Sequence, residues 1–151
     1  MNPSSLESMM GKRVLLLSPH ADDIAYSIGG IVAQLSQRAN LRLMTIFGHS
    51  GWVLPQTTCE QSADAISTER ELEDREYCVR RSIDYDLLHC SDSFVMGYDT
   101  TTELSTSATE DPRTESIVDL IRNAVTCWMP EVVLAPCGLG GHVDHQIVRF
   151  A

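Results

Sequence analysis

Basic residues are scarce in this 151-residue sequence: 11 Lys and Arg stand against 21 Asp and Glu, for a formal net charge of -10. A surface of that sign repels a phosphate backbone unless its basic residues gather on one face. The nearest approach to such a cluster, Arg75, Arg80 and Arg81, alternates with Glu73, Asp74 and Glu76 and reads as a solvated helix face. Nucleic acid is therefore not an expected partner. Long apolar runs are also lacking, and none approaches the roughly 20 residues of a membrane-spanning helix. The opening MNPSSLESMMGKR has no apolar stretch behind a basic region, so it does not read as a secretory signal, and a cytoplasmic location is expected. Cysteine is present without a framework. Cys59, Cys78, Cys90, Cys127 and Cys137 are odd in number and include no C-x-x-C pair, which suits a reducing compartment. Cys90 and Cys127 have apolar neighbours and are expected to be buried, inert thiols, with Cys137 as a wall residue near the chemistry.

What remains is the composition of an ordinary globular domain, 43% hydrophobic and 21% charged, in a chain long enough for one core. Residues 13–18, RVLLLS, form a short continuous apolar run, the pattern of a strand buried in a parallel sheet. After Pro19, residues 22–39 carry Ile24, Ile28, Ile31, Val32 and Leu35 at helical spacing. A second strand is predicted over 41–47, a charged helix over 67–82 with Ser67 or Thr68 as its cap, and a third strand over 86–90. Ile117, Leu120, Ile121 and Val125 mark a helix over 115–128, and residues 131–135 a fourth strand. The intervening stretches 48–65 and 91–112 are polar, and the second is expected to be a mobile loop. Strands alternating with helices predict an α/β fold with a mostly parallel sheet flanked by helices, in a single domain over residues 1–151.

In such a sheet, ligands bind beyond the carboxyl ends of the strands. Two polar clusters fall there, Pro19-His20-Ala21-Asp22-Asp23 after the first strand and Gly138 to His145 after the fourth. Hydrolytic zinc takes three protein ligands and leaves a fourth position for water. His20 and Asp23 share one side of the strand-to-helix turn, and His145 supplies a third ligand from the other loop. Bound zinc acidifies its water into a nucleophile at neutral pH. Asp22, in the same turn, is the natural general base. His142, if protonated, can stabilise the oxyanion, and Asp144 can orient one of the histidines as a hydrogen-bond partner. The plainer alternative is that Asp22 or Asp23 is an ordinary helix cap and each histidine a satisfied polar residue. Arg70 and Asp92 are candidate substrate contacts, and Trp52 and Tyr98 are candidates to stack on a ring of the substrate.

At these residues the sequence resembles the PIG-L or LmbE-like family of zinc-dependent de-N-acetylases. The motif usually written A-H-P-D-D-E stands here as Pro19-His20-Ala21-Asp22-Asp23-Ile24, and H-x-D-H as His142-Val143-Asp144-His145. Arg70-x-x-Glu73 and Pro130-Glu131-Val132-Val133 are similar to two further family patterns. The resemblance implies a Rossmann-like fold with zinc on His20, Asp23 and His145, Asp22 as base, His142 as transition-state stabiliser, and removal of an N-acetyl group from an amino-sugar or glycoconjugate substrate. Ala21 and Ile24 depart from the usual Pro and Glu. Family members usually continue well beyond the position of Ala151, so a missing C-terminal segment or a second copy is expected to cover the sheet edge. A non-catalytic sugar-binding or interaction module is the alternative reading. A two-metal phosphoesterase would need more carboxylate ligands than these motifs offer.

Overall fold

The computed structural model describes residues 6–52 and 62–151. The first strand, β1 (Arg13–Ser18), is apolar without alternation because both of its faces are covered. Val14 and Leu16 enter one core cluster with Leu41, Leu43, Val32 and Leu35. Leu15 and Leu17 enter the other, with Ile46, Phe47, Ile117, Ile121, Val143 and Ile147. From β1 the chain runs through α1 (Asp23–Leu35), β2 (Asn40–Thr45), α2 (Ala63–Val79) and β3 (Asp84–Leu87). It continues through the single turn α3 (Thr101–Leu104), then α4 (Thr114–Trp128), β4 (Val132–Leu134) and α5 (Val143–Phe150). The four strands among the described residues are parallel, in the order β3-β2-β1-β4. Ile24, Val32 and Leu35 of α1 and Cys78 of α2 pack on one face of this sheet, and α4 and α5 on the other.

That order fixes the location of a site. The chain steps outward from β1 to β2 to β3, then crosses back to lay β4 on the other side of β1. Segments leaving β1 and β4 therefore diverge to opposite faces and leave a crevice at their carboxyl ends, the topological switch point of such sheets. His20 follows β1, and His142 and His145 follow β4. The core beneath is tightly filled: Leu16 has no exposed surface. Leu16→Ala is expected to destabilise the chain by about 2–5 kcal/mol through lost burial and a residual cavity, seen as a lower urea midpoint with an unchanged slope.

Several elements differ from the sequence expectation. Helix α2 starts at Ala63, and its cap is Ser62, whose Oγ accepts from the Ala65 N–H at 3.3 Å. Ser67 and Thr68 instead donate back to the carbonyls of Ala63 and Asp64 within the helix. Helix α5 begins at Val143, so His145 lies in its first turn rather than before it. Residues 91–112 are not a bare loop, since they carry α3 and bury Asp92, Ser93, Ala108 and Asp111. Polar bonds hold this segment where apolar periodicity gives no sign of it. Among the described cysteines, Cys78 is buried, Cys90 is half-buried, and Cys127 and Cys137 are exposed. Helix α4 buries the face bearing Ile117, Val118 and Ile121, and Cys127 lies off that face. Cys59 and Pro55 lie outside the described residues, as does part of the polar stretch 48–65.

Candidate metal centre

The turn leaving β1 answers the helix-cap alternative first. Asp22 occupies the capping position of α1 but has φ 96° and ψ -30° and makes no side-chain cap bond. A positive φ at a non-glycine residue costs on the order of 1–3 kcal/mol and persists only where the surroundings impose it. Here the Asp22 carboxylate turns away from the helix and accepts from Arg70 Nη1 of α2 at 3.0 Å. Asp23, one residue on, folds back instead, its Oδ2 accepting from the backbone N–H of His20 at 2.9 Å. The two adjacent carboxylates thus serve different partners.

Asp23 Oδ2 is also the point on which two imidazoles converge. It lies 3.4 Å from His20 Nδ1 and 3.3 Å from His145 Nε2, and ligand atoms of all three residues lie within 4.8 Å of one another. Two ligands bound tetrahedrally at about 2.0–2.1 Å sit about 3.3–3.4 Å apart. Spacing and donor set therefore fit a zinc-like cation with an open position. His20, His142 and Asp144 form a second cluster of the same kind. It fits less well. Asp144 Oδ2 lies 2.9 Å from His20 Nε2 and 4.0 Å from His142 Nδ1, and it already accepts the Ser93 N–H at 3.0 Å. The two nitrogens of His20 thus divide the work, Nδ1 facing Asp23 and Nε2 facing Asp144.

The charges follow from these contacts. Burial works against a charged His20, but hydrogen bonds to Asp144 and Asp23, with the charge of both, outweigh it and raise the ring to about 9. Burial would raise Asp23 and Asp144; hydrogen bonds from His20 and the nearby positive charges instead hold both below the usual carboxylate range. Burial lowers His142 and His145, against the pull of Asp144 and Asp23, so both rings are neutral at neutral pH. His142 can then offer an oxyanion a neutral N–H rather than the full charge of a protonated ring. Burial raises Asp22 despite Arg70 beside it, which moves it toward the range of a working base. A His20 proton occupies the place of a cation in the metal-free chain. Its folded value lies above the ordinary 6.5, so its contribution to stability is complete below about 6.5 and is lost as pH rises through about 9. The stability of chelator-stripped protein is expected to fall across that window by up to about 3 kcal/mol. The slope should be absent in His20→Gln, and zinc affinity should rise with pH over the same range.

Above these residues lies a cavity of about 620 Å³, lined by His20, Asp22, Arg70, Asp92, His142 and His145 among others. Trp52, Phe47 and Tyr98 are in its walls, while Cys137 is not among its lining residues. Of the sequence-predicted candidates, Arg70 faces the cavity but is paired with Asp22 and stands 3.8 Å from Glu73. Asp92 is buried, with Oδ1 accepting from the Val95 N–H at 2.7 Å. Two residues that matter escape the sequence reading. Asp74 is not part of a solvated face: it is buried, accepts from Thr45 Oγ1 at 2.6 Å, and receives the Asp22 N–H at 3.4 Å. Its position four residues after Arg70, hence on the same helix face, is the available signal. Arg113 is paired with both Asp111 and Asp144, each at 2.9 Å. Nothing in its local sequence marks it.

A model of the PIG-L family, described as GlcNAc-PI de-N-acetylase, matches residues 15–151. The 2'-N-acetylparomamine deacetylase of Streptomyces fradiae is 38% identical over 146 residues, 96% of this chain and 52% of that protein. The chain thus spans about half the length of this curated relative. Among solved structures, N,N'-diacetylchitobiose deacetylase from Pyrococcus horikoshii superposes with a TM-score of 0.69 at 20% identity, over 92% of this chain and 47% of that one. The zinc-inhibited form of teicoplanin deacetylase superposes with a TM-score of 0.68 at 21% identity, over 91% and 60%. At that level of identity, these two superpositions speak for a shared fold.

Proposed function

Because the chain belongs to the PIG-L family of de-N-acetylases, we propose that it carries the metal centre of an N-deacetylase that hydrolyses the acetamide of an N-acetylated amino sugar. The observation that carries this reading is the convergence of the His20 and His145 rings on Asp23 at spacings a tetrahedral ion accepts, beside a cavity lined by His20, His145, Asp22 and His142. The substrate class is supported by the relative from Streptomyces fradiae, whose name denotes deacetylation of 2'-N-acetylparomamine. A cytoplasmic location belongs to the same reading, supported by the free thiols of the four described cysteines.

Residues His20, Asp23 and His145 would hold the cation, and zinc is the ion this donor set suits best. When bound, it supplies Lewis acidity, making water nucleophilic at neutral pH and drawing charge from the acyl oxygen. The chain's own groups do the rest. The Asp22 carboxylate, held by Arg70 and facing the cavity, accepts the proton of the attacking water and returns it to the departing amine nitrogen. His142 donates an N–H to the oxyanion as it forms. Asp144 holds His20 by its Nε2, which leaves Nδ1 as the nitrogen that would bind the cation beside Asp23. Phe47, Trp52 and Tyr98 present aromatic surface to a sugar ring.

The test is acetate release from a panel of N-acetylated amino sugars and aminoglycosides by the zinc-loaded chain. Turnover that is abolished by chelation and restored by zinc is the expected result. Zinc binding with saturable sugar binding but no acetate release would favour the non-catalytic module instead.

A further inference from the structure

We propose that Arg113 is a positioning residue of the metal centre, fixing Asp144 and through it the ring of His20; the inference rests on the metal-binding reading above. Its side chain is only 10% exposed, and every edge of its guanidinium is engaged. Nη2 lies 2.9 Å from Asp144 Oδ1 and 2.9 Å from Asp111 Oδ2, Nε donates to Asp111 Oδ1 at 3.0 Å, and Nη1 donates to the carbonyl of Ser91 at 3.0 Å. The ring centroids of Phe47 and Tyr98 lie 5.4 Å and 5.2 Å from it. A planar fork held this way cannot swing to another partner.

The consequence lies at Asp144, which has no exposed surface. A carboxylate buried that completely is costly unless its oxygens meet fixed partners, and the group facing Oδ1 is Arg113 Nη2 at 2.9 Å. With Oδ1 on Arg113 and Oδ2 receiving the Ser93 N–H, Asp144 can present only an acceptor to His20 Nε2. With a cation bound, His20 would keep its remaining proton on Nε2 and offer Nδ1 to the place where Asp23 and His145 converge. The same guanidinium fixes the cavity wall, because Asp111 also receives the Tyr98 hydroxyl at 3.0 Å. Metal centre and substrate wall thus share one tie, supplied by the segment that precedes α4.

A double-mutant cycle on zinc affinity separates this role from a purely structural one. Metal-stripped full-length wild type, Arg113→Met, Asp144→Asn and the double variant would be titrated with zinc against a chromophoric chelator, with circular dichroism confirming the fold of each. Arg113→Met and Asp144→Asn are each expected to weaken zinc by roughly 10- to 100-fold, the double variant to bind about as the weaker single, and Arg113→Lys to recover part of the loss. Unchanged zinc affinity in Arg113→Met, or losses that multiply in the double variant, would overturn the proposal while leaving the metal-binding reading intact. A wild type that binds no zinc would sink both. Should Arg113→Met fail to fold, Arg113→Lys carries the same cycle, and its loss must likewise fail to multiply with that of Asp144→Asn.

Discussion

Asp22→Asn is expected to lower kcat/KM for acetate release by about 100- to 10,000-fold, the span typical of losing a general base, with KM and zinc stoichiometry near those of the wild type. The amide keeps the oxygen that accepts from Arg70 and tolerates the positive φ of this turn better than most side chains, so the backbone need not move. What it cannot do is take a proton. Asp22→Ala should be equally inactive but also less stable, because alanine at φ 96° is strained and Arg70 loses its partner. Steady-state kinetics with zinc analysis on both variants checks the assignment. Substantial activity in Asp22→Asn would reduce Asp22 to an anchor for Arg70.

The second large effect concerns the metal. His145→Ala removes one of three protein ligands, and zinc affinity is expected to fall on the order of 1,000-fold, since a bound zinc worth about 10–16 kcal/mol is spread over few ligands. Free zinc at 1,000 times its dissociation constant stabilises a folded chain by about 4 kcal/mol. That protection should be visible as a rise in the wild type's unfolding midpoint and be lost in His145→Ala. His142→Ala provides the contrast. Its ring lies off the tetrahedral set, with Nδ1 at 4.0 Å from Asp144, so zinc protection should survive while turnover drops. Loss of zinc protection in His142→Ala with its retention in His145→Ala would mean that the cation uses the other cluster.

Both predictions depend on how the chain brings distant residues together, and this was only partly legible in the sequence. The unbroken apolar run of β1 announced a strand covered on both faces, and the strand-helix alternation placed His20 and His145 at one edge across more than a hundred residues. Those signals are local or periodic. Asp74 defeated them because it sits within a charged run of α2, and its burial comes from β2, where Thr45 meets it. Arg113 defeated them because a Pro-Arg-Thr step at the start of a helix carries no pattern, and its importance comes from Asp144, Asp111 and Ser91 reached across the fold. Segment 91–112 reads as a loop because polar bonds hold it, with little more than Ala108 and Tyr98 packing on the core. Within the motif, the separate roles expected of Asp22 and Asp23 come from chemistry and the family resemblance, whereas the positive φ of Asp22 and the two-sided contacts of His20 have no local sequence signal.

X-ray absorption spectroscopy of the zinc-loaded chain reports directly on whether His20, Asp23 and His145 hold the ion. Only nitrogen and oxygen neighbours at about 2.0–2.1 Å are expected, with the outer-shell scattering of two imidazoles. One imidazole should disappear in His145→Ala. A sulfur neighbour at about 2.3 Å, or a spectrum unaltered by that substitution, would contradict this ligand set.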